Sequence, residues 1–293
     1  MKGVIVKGVG GLYYVKTESG VYPCRARGRF RKDEIIPMIG DRVEIDVVNE
    51  RGEGFIKEIL PRDNFMIRPP VANIDQVIAV FSVTNPDPNL LYVDKLLLMC
   101  HTSGICPVIC INKIDLDEKD VASYYGNIYI KAGYKVVFTS TVNKTGIGEL
   151  IGTMKGKVSA MAGPSGVGKS SLLNAIQPDL NLKTGDVSYK ANRGKHTTKH
   201  VELLELKVGG YILDTPGFGA IDLSFLTRAE VAASYPEFKA YQGQCRFVDC
   251  LHIFEPGCKV KEALQAGEIS YERYQNYTRI QEEVKAAEER RYD

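Results

Sequence analysis

The chain has 293 residues, with 38 Lys and Arg against 36 Asp and Glu, and 44% of its residues are hydrophobic. That length and composition suit two or three domains with sizeable cores. The near-balanced charge excludes a global basic field for nucleic acid, so DNA binding is not expected and charge has to be read locally. No stretch reaches ~18 consecutive apolar residues, and the opening MKGVIVKGVGG lacks a signal peptide's apolar core, so a cytoplasmic protein with no membrane partner is expected.

From Met1 to about Asn64 short alternating runs (VIVKGV, LYYVKT, DRVEIDVV, EGFIKEIL) are separated by Gly pairs and charged turns. Such closely spaced strands predict a small β-barrel over residues 1–65. Within it RARGRFRK places Arg25, Arg27, Arg29, Arg31 and Lys32 close together, and the alternating arginines would share one side of a strand. PRDNFMIRPP reads as a linker.

The texture then changes. IDQVIAVFSV, PVICIN, YKVVFTS and VSAMA read as buried strands, alternating with helical segments at about Leu90–His101, after Asn112 and near Gly148–Met154. That alternation predicts a parallel, doubly wound α/β sheet over residues 66–222. The polar stretch Asn181–His200 reads as a loop, followed by the strands VELLEL and YILDT. Residues 223–293 turn helical around a Cys and His cluster. Four of the seven cysteines, Cys24, Cys100, Cys106 and Cys110, lie in apolar contexts and read as core thiols.

Gly163, Pro164, Ser165, Gly166, Val167, Gly168, Lys169 and Ser170 match G-x-x-x-x-G-K-[ST] between a strand and a helix, and Ser171 continues the phosphate contact. The glycines let backbone amides close around a β-phosphate at a helix N-terminus. Lys169 would reach the β- and γ-phosphate oxygens, and the Ser170 hydroxyl would ligate Mg2+.

The base is read elsewhere. In Asn112-Lys113-Ile114-Asp115 the Asp115 carboxylate can accept from the ring N–H and exocyclic amine of guanine. Adenine has no such pair of donors on that edge, so a site built on those bonds selects GTP and GDP. Asn112 would bond the other side of the base and Lys113 would lie over the ring. In Thr139-Ser140-Thr141 the backbone amides, that of Ser140 included, suit the guanine oxygen.

The switch elements follow. Asp214 can hold Mg2+ through water, and the Gly217 amide can sense the γ-phosphate. In RGKHTTK both Thr197 and Thr198 can supply the Mg2+ hydroxyl; Thr198 is assigned to the metal and Thr197 to the nucleotide, although the sequence does not choose between them. Many GTPases place a water-orienting Gln just after Asp-x-x-Gly, but Phe218 stands there, which leaves His196 as the nearest candidate. Slow intrinsic turnover, raised by a partner, is expected. Because the base-reading motif precedes the phosphate loop, the domain is circularly permuted, and the Asp214–Gly217 segment leads straight into the C-terminal region. Nucleotide state is expected to reach that region directly.

Cys245, Cys250, His252 and Cys258 offer three thiolates and an imidazole in one short loop, suiting a closed, tetrahedral, structural Zn2+ site.

Together, the RGRFRK barrel, RPP with NIDQV, NKID, GPSGVGKSSLLN, RGKHTTKHVEL, DTPGFG and the CxxxxCxHxxEPGC cluster resemble the circularly permuted GTPases of the RsgA/YjeQ family over essentially the whole chain. Pro164 stands where that family often has Gln, and Thr141 where Ala is usual. The resemblance implies an OB-fold N-terminal domain, a permuted GTPase domain and a zinc-bearing helical C-terminal domain. It also implies a role in late maturation of the small ribosomal subunit, with that subunit and its rRNA as partners and stimulation by it; separately, a monomer is expected. An OB-fold gives the basic run an RNA-facing purpose. Competing readings are a GTPase serving another target, a nucleotide-holding RNA adaptor without turnover, and a P-loop ATPase.

Overall fold

The computed structural model describes residues 1–27, 30, 35–48, 53–66, 69–180, 201–214 and 221–292, with backbone only at Asp214 and Tyr292. These form two compact units. One comprises Met1–Val77, Ile151–Met161 and the described residues 201–214; the other Ile78–Leu150 and the described residues 162–180 and 221–292.

In the first unit β1 (Lys2–Val9), β2 (Leu12–Thr17), β3 (Gly20–Ala26), β4 (Arg42–Val47) and β5 (Gly54–Ile59) pair in the order β1-β2-β3-β5-β4, and β4 returns to β1. All neighbours are antiparallel except β3 and β5. This closed five-stranded barrel is the OB-fold, and closure removes the open edges of a small sheet. Period-2 alternation sends Ile5, Val15, Cys24, Val43, Ile45 and Ile56 inward to a core with Phe30. The run GVYPCRA forms β3 despite Pro23, a strand that sequence patterning did not single out. The arginine expectation is corrected here: β3 ends at Ala26, so Arg27 lies beyond the strand, exposed and paired with Asp46 at 2.6 Å, while Arg29, Arg31 and Lys32 fall outside the described residues.

The proline-rich connection is less of a free linker than its composition suggests. β6 (Phe65–Met66) pairs with β7 (Val71–Ala72), and Val71 bridges to Ile39. Nearby, fully buried Asp41 accepts from Arg62 Nε and Nη2 at 2.7 and 2.9 Å and from the Met38 amide at 2.7 Å. The same unit contains β11 (Lys157–Ala162, except its last residue), β12 (Glu202–Glu205) and β13 (Gly210–Asp214). β11 runs parallel to β13, β12 antiparallel to it, and Glu202 of β12 pairs with Lys7 of β1.

In the second unit β9 (Cys106–Asn112) runs parallel to β10 (Lys135–Phe138) and neighbours β8 (Gln76–Ser82), whose part from Ile78 onward belongs here. All seven β8 residues are buried, as expected of a strand covered on both faces. Four helices accompany these strands: α1 (Leu90–Thr102), α2 (Val121–Lys131), α3 (Ile147–Met154, whose part up to Leu150 belongs here) and α4 (Lys169–Ile176). Asn89 caps α1 by accepting from the Tyr92 amide at 3.0 Å, and Val93, Leu96, Leu97 and Cys100 bury at i, i+3, i+4, i+7 spacing.

The C-terminal segment supplies α5 (Arg228–Ala233), α6 (Lys259–Gln265) and α7 (Tyr271–Tyr292), and a Thr227–Glu230 capping box opens α5. Its core joins Val231, Tyr235, Phe238, Val260, Tyr277 and Ile280 to Leu98 of α1. Among the cysteines, Cys24, Cys100 and Cys110 are buried as expected, but Cys106 is exposed at the start of β9, where the chain has not yet entered the core. No helix among the described residues is long and apolar enough to cross a membrane.

The Asp41 environment generates a test of the barrel. Arg62→Ala leaves a buried carboxylate without its counter-ion and is expected to destabilise the protein by roughly 3 kcal/mol, read as a lower urea midpoint at unchanged m-value.

Candidate functional site

β11 ends at Ala162 and the chain passes through Gly163–Gly168 into α4, the strand–loop–helix context a phosphate cradle requires. A Cβ at Gly163 would sit 2.1 Å from the Val80 carbonyl oxygen, so no other residue fits against that strand. Gly168 has φ +96°, and a Cβ there would meet Asn112 Nδ2 at 2.4 Å. Val167 is buried, while Ser165 and Gly166 are exposed and Pro164, Ser170 and Ser171 half-buried. The Lys169 ammonium donates to the Gly163 and Pro164 carbonyls at 2.8 and 2.7 Å, which curls the side chain over the loop. Burial pulls its pKa below the ordinary lysine value, and anionic phosphate oxygens would favour the charged form.

The base-reading loop lies against this cradle. Asn112, 1% exposed at the end of β9, donates from Nδ2 to the Val167 carbonyl at 2.8 Å. Its Oδ1 accepts from Thr139 Oγ1 at 3.0 Å. One side chain thus ties the phosphate loop to the ends of β9 and β10. Lys113 follows in a left-handed conformation, φ 61°, and its ammonium donates to the Asn85 carbonyl. Asp115 stands exposed on the one-turn helix Ile114–Leu116, where its Oδ1 accepts from the Ser140 hydroxyl.

Ser140 Oγ itself accepts from the Val142 and Asn143 amides at 3.2 and 3.4 Å. The Ser140 amide donates to the Thr145 carbonyl at 3.1 Å and the Thr139 amide to Ile111 at 2.8 Å. Ser140 therefore reaches Asp115 through its hydroxyl, its amide being engaged elsewhere. Among the described residues, the amide of that tripeptide left without such a partner belongs to Thr141.

Asp214 closes β13 in register with Glu202. His196, Thr197, Thr198, Gly217 and Phe218 lie outside the described residues.

In the C-terminal segment the ligand atoms of Cys245, Cys250, His252 and Cys258 all lie within 4.8 Å of one another. His252 Nδ1 is 3.6 Å from Cys245 Sγ and 3.3 Å from Cys258 Sγ, and the two sulfurs are 4.0 Å apart. A tetrahedral zinc ion with ordinary bond lengths needs S···S edges of about 3.8 Å and N···S edges of about 3.5 Å. The donor set therefore fits the ion in kind and spacing.

The loop is also held by groups that spacing alone does not reveal. Tyr277 and Tyr274 of α7 donate to the carbonyls of Leu251 and His252 at 2.5 and 2.6 Å. The Glu255 carboxylate accepts from the Leu251, Ile253 and Phe254 amides at 3.0, 2.9 and 3.1 Å. Tyr277 is fully buried, although the charged residues around it in the sequence do not mark it as a core position.

The sequence model described as RsgA GTPase matches residues 59–224, and that described as RsgA N-terminal domain matches residues 2–56. The chain belongs to the RsgA GTPase family. It is a GTPase, with the OB-fold barrel, permuted GTPase fold and C-terminal Cys and His cluster of RsgA proteins. A protein named small ribosomal subunit biogenesis GTPase RsgA from Caldanaerobacter subterraneus subsp. tengcongensis is 49% identical, covering 100% of this chain and 98% of its own. One of the same name from Alkaliphilus metalliredigens is 47% identical over 99% of both chains. The crystal structure of YjeQ from Thermotoga maritima, 39% identical, superposes with a TM-score of 0.84 over 97% of this chain and 98% of that one. YloQ, described as a circularly permuted GTPase, is 36% identical with a TM-score of 0.82 over 97% of this chain and 95% of its own.

Gly168→Ala tests the contact between the two loops in this RsgA-family chain. The added methyl collides with Asn112 Nδ2 in a backbone conformation unsuited to Ala, so GDP affinity is expected to fall at least about tenfold, the worth of one buried hydrogen bond, as measured by nucleotide titration.

Proposed function

We propose that this GTPase converts GTP to GDP and phosphate in late maturation of the small ribosomal subunit, binds that subunit and its rRNA, and is stimulated by it. The observation that carries the reading is full-length similarity to proteins named for small-subunit biogenesis, supported by the bond that ties the NKID loop to the phosphate-loop motif.

In the proposed site the Asp115 carboxylate accepts from the ring N–H and exocyclic amine of guanine, oriented by the Ser140 hydroxyl. Lys113 lies along the base with its ammonium on Asn85. Asn112 flanks the base and locks the two loops together. Backbone amides within Gly163–Ser171, other than at Pro164, which has no N–H, face the phosphates, and Lys169 moves from the carbonyls of its own loop to the β- and γ-phosphate oxygens. Ser170 and Thr198 would hold Mg2+, with Asp214 reaching it through a water and Thr197 and Gly217 against the nucleotide; the ion would neutralise phosphate charge. His196 is proposed to orient the attacking water, since Phe218 offers no hydrogen bond to it.

Cys245, Cys250, His252 and Cys258 would bind one structural Zn2+, leaving no open position for catalysis. Residues 1–65, 66–222 and 223–293 are proposed as the three domains, a division supported by the family matches at 2–56 and 59–224. Exposed Arg25 and Arg27 on the barrel, with Arg29, Arg31 and Lys32, would meet rRNA phosphates. Action as a cytoplasmic monomer completes the reading.

GTP turnover titrated with purified small subunits tests it. The rate is expected to rise with small subunits but not with large subunits or free RNA; the reverse pattern assigns another target. Lys169→Ala should lower stimulated phosphate release at least about 100-fold, the cost of removing one main transition-state charge contact, whereas a nucleotide-holding adaptor would show no difference. Elemental analysis is expected to find one zinc per chain, and stripping it with a chelator should lower the thermal midpoint; a metal-free protein of unchanged midpoint would argue for unligated thiols.

A further inference from the structure

A cluster of buried charges within the second unit takes no part in the nucleotide chemistry above. Arg273 of α7 is 2% exposed, and a guanidinium keeps its positive charge even when buried. Its Nη1 donates to Asp94 Oδ1 at 2.6 Å, and its Nε and Nη2 donate to the two Glu237 oxygens at 2.7 and 3.1 Å. Asn276, one turn along α7, donates to the other Asp94 oxygen at 2.7 Å. Three tyrosine rings surround the guanidinium, with centroids 4.5 Å (Tyr235), 5.4 Å (Tyr134) and 5.8 Å (Tyr129) away.

Taking three charges out of water is costly, and apolar side chains of equal volume often stabilise an interior as well or better. An apolar cluster does not supply fixed geometry. A guanidinium fork that engages two carboxylates sets both distance and angle, and Asp94 is gripped from two positions on α7. The arrangement is suited to hold α1 at one rotation and one height against α7.

α1 leads directly to the nucleotide. Asp94 lies one turn inside the helix, Asn89 caps it, and the preceding turn Ser82–Asn89 is closed by Ser82 Oγ donating to the Pro86 carbonyl at 2.8 Å. The Asn85 carbonyl in that turn receives the Lys113 ammonium. Pro86 Cδ lies 3.5 Å from where a Cβ on Gly166 would be. The turn therefore bonds Lys113 and lies beside Gly166 of the phosphate loop. The helix that follows the guanine motif is tied to the same C-terminal segment: Lys131 of α2 donates to the Gly267 carbonyl at 3.0 Å, and the Tyr124 hydroxyl bonds the Glu272 carboxylate.

We propose that Arg273 is a positioning residue for guanine-nucleotide binding, which acts through Asp94 to fix the head of α1 and the Ser82–Asn89 turn against Lys113 and the phosphate loop. Nucleotide occupancy and the packing of the C-terminal zinc segment are then linked along a route separate from the Asp214–Gly217 segment. The inference rests on the guanine site proposed above. Linkage is reciprocal: whatever loosening α7 takes from GDP affinity, GDP returns as protection of α7.

The test uses the full-length protein, GDP titration and hydrogen exchange with and without GDP. In the wild type, GDP is expected to slow exchange of α7 amides around Arg273 and Asn276. Arg273→Lys keeps the charge but loses the fork; it should weaken GDP binding about fivefold or more, the usual scale of intersite coupling, and abolish the GDP-dependent protection. Lys95→Ala breaks an exposed α1–α7 ion pair (2.6 Å) and should leave both readouts unchanged. An Arg273→Lys protein of lowered thermal midpoint that binds GDP as tightly as the wild type would reduce the cluster to a structural role. So would wild-type α7 exchange indifferent to GDP, a measurement that stands even where the variant does not fold. Asp115→Asn separates the two readings. If it leaves GDP binding intact, the guanine site itself is wrong; if it abolishes binding while α7 stays indifferent, only the coupling fails.

Discussion

The hydrogen bond from Asn112 to the Val167 carbonyl is the constraint on which the proposed nucleotide site depends. It joins two loops more than fifty positions apart in sequence, each of which is an ordinary turn when taken alone. With the bond made, the loop that carries Asp115 and the loop of Gly163–Gly168 are held side by side. Its geometry explains two residue choices beside it: Gly168, since any side chain would occupy the position of the amide, and Thr139, whose hydroxyl holds the other end of the same group. A buried amide satisfied at both ends is also rigid, which a site that must discriminate between bases needs.

The same logic of fixing by hydrogen bond recurs in the C-terminal segment. The metal-suited loop receives two tyrosine hydroxyls on its carbonyls and one carboxylate on its amides, so its shape does not rest on an ion alone. Those tyrosines sit on α7, which also carries Arg273. One helix therefore braces the cysteine loop and, a turn away, grips α1 through Asp94. Permutation gives this arrangement its significance. With Asn112–Asp115 ahead of the phosphate-loop motif, the C-terminal helices follow β13 in the chain, yet their core takes in Leu98 of α1, the helix that precedes β9.

Much of this was legible in the residues themselves. α1 follows from its Asn89 cap and its 3.6-residue apolar spacing, and β8 from an unbroken apolar run; both appear where the pattern places them. The phosphate loop and guanine motif are recognisable because their chemistry needs particular residue types at fixed spacing. Patterning was weaker where the determining contact is distant. β3 contains Pro23 and half-buried positions, so only its neighbours β2 and β5 make it a strand. Cys106 has an apolar context in sequence but precedes the point at which β9 enters the core.

The sequence by itself determined the barrel, the α/β alternation, the nucleotide motifs and the donor set of the metal loop, because each is written in local periodicity or in short, chemically constrained spacing. Only the tertiary structure decided that Ser140 contributes its hydroxyl to Asp115, that Asn85 offers its carbonyl to Lys113, and that Arg273 lies buried between Asp94 and Glu237. The reason is physical. Those roles depend on which groups meet across the fold, and a hydrogen bond between residues 179 positions apart leaves no periodic trace in the chain.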